Sequence, residues 1–70
     1  QIGEAKLMFT LKILVAGVVR LVEPGMTFAR WRTLAPSLEP MIQDLVPAGK
    51  VVFLAESDDS NVVNILGVWR

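Results

Sequence analysis

Three side-chain chemistries are missing from this chain: among its 70 residues there is no cysteine, no histidine and no tyrosine. Without cysteine there is no disulfide staple, and without cysteine and histidine the usual zinc sites are excluded. The commonest general bases and nucleophiles are absent with them. A carboxylate pair such as Glu56 with Asp58 remains, yet nothing in the sequence builds a pocket around it. Ser57 and Ser60 have no base nearby in sequence, and no Gly-x-Gly-x-x-Gly run or phosphate loop occurs. The expectation is a chain that is not an enzyme and carries no cofactor.

Charge is also scarce. Only 20% of residues are charged and the formal net charge is zero, while 53% are hydrophobic. That is too apolar for disorder. The charges are unevenly placed. Residues 1–32 hold five basic and two acidic side chains, net +3, and residues 33–70 hold two basic and five acidic, net −3. Such asymmetry suits pairing within the fold or between subunits. It leaves no broad basic footprint for nucleic acid.

Long hydrophobic runs are missing too. The longest, residues 13–19, is seven residues. The wider stretch from Leu7 to Val22 is interrupted by Lys12 and Arg20 and is too short to span a bilayer. No secretory signal is present, so no membrane partner is expected. The chain begins without Met and stops inside an apolar pattern, which reads as a single domain, residues 1–70, or a fragment of a larger β domain.

What is present is alternation. Leu7, Phe9, Leu11, Ile13, Val15, Gly17, Val19 and Leu21 occupy every odd position of a fifteen-residue stretch, and Lys6, Thr10, Lys12 and Arg20 fall among the even ones. A period of two means extended chain with one buried face. Residues 5–22 read as one bent strand, with a bulge or bend at Gly17, or as two strands broken around Ala16-Gly17. Glu23-Pro24-Gly25 reads as a turn, and residues 26–34 as a second strand with a basic edge.

The period then changes. Leu38, Met41, Ile42 and Leu45 follow helical spacing, with Ser37 as N-cap, Pro40 in the first turn, and Pro47 and Gly49 as the stop. Residues 50–55 read as a strand buried on both faces, residues 56–61 as a polar turn, and residues 62–69 as a last strand. On that strand Val63, Ile65, Gly67 and Trp69 share one face. The fold class is mainly β with one short helix (α+β), in the order strand–strand–helix–strand–strand. It reads as part of a β-sandwich or jelly roll, or as a small open barrel.

Ordering 70 residues costs on the order of 100 kcal/mol, and one small core rarely exceeds that by more than ~3–5 kcal/mol. Apolar residues beyond the capacity of such a core favour assembly. Phe28, Arg30, Trp31, Arg32 and Trp69 are the candidate interface residues, because Trp and Arg are enriched at binding hot spots. Arg30 and Arg32 are expected to meet a neighbour's acidic residues, with Glu56 and Asp58 as candidates, and exposed strand edges to drive the pairing. The alternatives are a small β-barrel taking single-stranded nucleic acid on Phe28, Arg30 and Trp31, and a non-catalytic subunit of a larger complex. Asp58, Asp59 and Asn61 form an oxygen-rich cluster of the kind calcium accepts, without EF-hand spacing.

Residues 24–61 carry a further pattern. Phe28-Ala29-Arg30-Trp31-Arg32 is followed, after about fifteen residues, by Ala48-Gly49-Lys50 and the apolar run 51–54, then by Glu56-Ser57-Asp58-Asp59. The arrangement resembles the jelly-roll coat (capsid) proteins of small icosahedral positive-strand RNA viruses. The resemblance implies a structural protein of the virion, with the aromatic-Arg segment a strand packed in the sandwich. It also implies that Asp58, Asp59 and Asn61 lie near subunit contacts, where calcium is sometimes bound. Without the resemblance, the expected location is cytoplasmic.

Overall fold

A computed structural model of the chain describes residues 8–57 and 63–70. The described residues form one open sheet of four antiparallel strands with a helical crossover on one face. The strands are β1 (Met8–Val15), β2 (Val18–Thr27), β3 (Val51–Ser57) and β4 (Val63–Trp69), arranged β2-β1-β3-β4. Between β2 and β3 run helix α1 (Phe28–Leu34), a 3-10 turn (Ala35–Leu38), helix α2 (Glu39–Leu45) and a second 3-10 turn (Val46–Ala48). The order strand–strand–helix–strand–strand holds, but the first two strands use other residues than the sequence suggested, and the helical segment begins at Phe28 as well as covering the expected Glu39–Leu45.

The long alternating stretch is two strands, the second of the two readings open from sequence. Ala16 and Gly17 form the hairpin turn, with φ of 52° and 81°. Two successive positive-φ residues make a turn whose twist matches paired strands. Glu23-Pro24-Gly25 is not a turn. It lies inside β2 at a register shift, since Phe9 pairs with Met26 while Leu11 pairs with Glu23. A second shift leaves Arg20 as an extra residue, since Ile13 pairs with Leu21 and Leu14 with Val19. Proline is tolerated here because β2 is an edge strand.

Residues 28–34 are helix, not strand. Thr27 supplies the N-cap, its Oγ1 accepting from the Arg30 amide at 3.2 Å. The helical period brings Phe28, Trp31 and Leu34 onto one half-buried face and leaves Ala29, Arg30, Arg32 and Thr33 exposed. As a strand the same residues would place Phe28 on one face with both arginines. Ser37 is not the cap of α2 either. Its hydroxyl donates to the Leu34 carbonyl at 2.7 Å, and Leu38 holds the N-cap position without a side-chain bond.

The core is one cluster: Phe9, Leu11, Ile13 and Val15 of β1, Met26 of β2, Ile42 of α2, and Val51, Phe53 and Ala55 of β3. All lie at 4% exposure or less. Every second residue of β1 and β3 therefore faces the helices. β3 is not buried on both faces, because Val52 and Leu54 stay partly open on the far side. β4 also departs from simple alternation. Phe53 pairs with Gly67 and Leu54 with Ile65, so a bulge at Leu66 changes the facing. Gly67 and Trp69 lie toward the helices, and Val63 and Ile65 lie on the other face.

Candidate functional site: the uncovered sheet face

The predicted interface aromatics turn inward. Phe28 packs on Phe9 with ring centroids 5.3 Å apart. Trp31 and Trp69 flank Phe53 at 5.4 and 5.1 Å. Such aromatic pairs add about 0.5–1.5 kcal/mol each beyond burial. Trp31, Arg32 and Trp69 come together on one hollow of 410 Å³, which Ile42 and Leu66 also line. Arg30 lies elsewhere, on an open 550 Å³ hollow with Ala29, Thr33 and Ser37 and, with Glu23, on the wall of a 190 Å³ cleft between β2 and the helices. That cleft is below the roughly 300–1,000 Å³ of small-molecule pockets. Glu56, expected to meet an arginine of a neighbour, is bound within its own chain to Lys12 Nζ at 3.0 Å. The Asp58, Asp59 and Asn61 cluster, with Asp58 as an acidic partner, lies outside the described residues. Among the described residues no group of His, Cys, Asp or Glu could hold a metal ion, and no helix is long and apolar enough to cross a membrane.

The surface that stands out is the sheet face opposite the helices. Pairing registers place its side chains in rows across the strands. One row is Val19 of β2, Leu14 of β1, Val52 of β3 and Val68 of β4. The next is Val22, Lys12, Leu54 and Ile65 in the same strand order. The third holds Thr10, Glu56 and Val63. An antiparallel sheet with one solvated face normally alternates apolar-in with polar-out. Here eight of the eleven positions are apolar. Val19, Val22, Val63, Ile65 and Val68 are 42–65% exposed. The polar members gather at one end, where Lys12 bridges diagonally to Glu56.

The strand edges are poor sites for sheet extension. β2 carries two register shifts and Pro24, and β4 carries the Leu66 bulge. Bulges and proline are devices that blunt edges. Sequence reading missed the uncovered face because the odd-numbered stripe of β1 drew attention to the core side. A signal was present in the even positions, where Leu14, Val22, Val52, Leu54 and Val68 are apolar although a solvated face would be polar.

No protein-family model, curated protein or solved structure matches the chain.

Proposed function

We propose that the chain is an assembly module whose uncovered sheet face is completed by another protein surface. The observation that carries this is the eight-residue apolar array opposite the helices, formed by side chains that the chain's own helical layer does not reach. Contiguous exposed apolar surface rimmed by polar groups marks interaction sites. Phe28, Trp31 and Trp69 pack against the core while staying partly exposed, and in this reading aliphatic side chains supply most of the contact. A second sheet laid on the face at about 10 Å would complete a β-sandwich. A coat protein is a narrower form of this reading. The glycine-led strand Val51–Ser57 supports it, and the helical Phe28–Leu34 lends it nothing.

Replacing Val19 and Ile65 by lysine tests the proposal. Both are exposed, so the helix and strand content and the cooperative melt should be unchanged. Light scattering of the native full chain should give a mass above 7.7 kDa, or a defined partner should copurify, and the V19K/I65K variant should lose either association. Identical association by both proteins, or none by the native chain, would refute it.

A further inference from the structure

We propose that the cleft between β2 and the helices binds a free α-amino acid with an aliphatic side chain. The cleft lies on the helix-bearing side of the sheet, away from the open face, so the site is independent of the assembly reading. Its inner end is core: Leu11, Ile13 and Met26 line it and are 1–3% exposed. Leu34 and Met41 close it from the helical side. Leu21 of β2 lines it too and stays 41% exposed, because the helical layer leaves that part of the outer strand uncovered. An apolar cavity of about 150 Å³ takes benzene, so the 190 Å³ here has room for one branched side chain of about four carbons.

Charge at the mouth selects the head group. Glu23 and Arg30 line the same cleft from different elements, β2 and α1, and both are exposed. Glu23 pairs with Leu11, so it stands on the helix-facing side of the sheet. Among the described residues neither charged group takes part in an ion pair. A ligand seated on the apolar floor therefore meets one anion and one cation. A carboxylate alone would gain Arg30 but face Glu23, and an amine alone would gain Glu23 but face Arg30. An α-amino acid carries both charges on the carbon from which its side chain leaves. Its carboxylate goes to the planar fork of Arg30 and its ammonium to Glu23. The end of a peptide presents only one of those two charges beside a side chain, so the cleft favours the free amino acid.

Amide NMR titration of the native full chain with L-leucine tests this, beside isocaproate, which lacks the ammonium, and isoamylamine, which lacks the carboxylate. Leucine should shift the amides around Glu23, Arg30 and Leu34 saturably, with a dissociation constant on the order of 1 mM. Each analogue should bind about tenfold more weakly. Arg30→Gln should abolish leucine's advantage over isoamylamine, and Glu23→Gln its advantage over isocaproate. Both side chains are exposed, so both variants should keep the native melt. No saturable shift with leucine overturns the site. Equal binding of all three compounds to the native chain overturns the amino acid in favour of any small apolar molecule. Isocaproate binding as tightly as leucine overturns it in favour of a carboxylic acid. Advantages that survive both substitutions place the ligand elsewhere and overturn the cleft. The V19K/I65K variant should bind leucine like the native chain, so failure of this site and failure of the assembly reading are read separately.

Discussion

Gly49 and Ala16 touch so closely that only glycine fits between them. A Cβ at Gly49 would lie 2.6 Å from the Ala16 Cβ, and Gly49 itself has φ of 145° and ψ of 178°, a region closed to other residues. The contact locks the first hairpin to the end of the helical crossover. Two backbone bonds reinforce it, from the Ala16 amide to the Lys50 carbonyl at 2.9 Å and from the Gly49 amide to the Val46 carbonyl at 3.0 Å.

Gly49→Ala should therefore cost about 3 kcal/mol or more, from overlap and backbone strain together. A domain of this size holds roughly 3–5 kcal/mol in all, so the variant should be largely unfolded at 25 °C. Adding Ala16→Gly removes the 2.6 Å clash but leaves the tight approach to the Ala16 backbone, 3.1 Å from its Cα, and the strain, and should recover only part of the loss. Chemical denaturation of the four-member cycle reads the coupling, which full additivity would contradict.

Ala16 pays its own strain at φ 52°. Asparagine tolerates that left-handed conformation better than alanine. Ala16→Asn should stabilise the chain by about 0.5–1 kcal/mol, provided its side chain clears Gly49. A raised denaturation midpoint with an unchanged slope is the expected result.

The aromatic cluster separates a core role from an interface role. Trp31 is half-buried on Phe53, so Trp31→Ala should lower stability by about 2 kcal/mol whatever the chain's association state. Arg30→Ala, on the exposed side of the same helix, should stay within about 0.5 kcal/mol. If Trp31 served only association, its replacement would leave the dilute chain's melt unchanged.

How much of this was legible beforehand follows from which residues decide locally. The odd-numbered stripe of β1 was readable because Phe9, Leu11, Ile13 and Val15 all bury, and strand alternation needs no distant information. The helical spacing of Leu38, Met41, Ile42 and Leu45 was readable for the same reason, although α2 spans only Glu39–Leu45. Residues 28–34 were misread because Arg30 and Arg32 mimic a strand's polar edge. The Thr27 cap and the Phe28–Trp31–Leu34 spacing decide for helix only once a sheet face exists to receive them. Bulges at Arg20, Pro24 and Leu66 are set by pairing with other strands, so no local pattern announces them. The open face was hidden for that reason, since its rows exist only when four strands are in register.

Trp69 folds back over Gly67, and a Cβ there would lie 2.5 Å from the indole. Large side chains covering a strand glycine offset its missing packing. Gly67→Ala should displace the ring from Phe53, shift tryptophan emission to longer wavelength, and cost about 1–2 kcal/mol. An unshifted emission maximum would argue that the indole has room to yield.

Both tryptophans pack tilted or edge-on against Phe53, and Phe28 packs tilted against Phe9, so each of the three rings is held against the core and only partly exposed, unlike the open rings of a base-stacking platform. Single-stranded oligonucleotides at low salt should leave the tryptophan emission unchanged, and any weak association should show no quenching. Saturable quenching with a steep salt dependence would instead mean that the 410 Å³ hollow beside Trp31, Arg32 and Trp69 opens to admit a base. That outcome would move the functional surface from the aliphatic face of the sheet to its helical side.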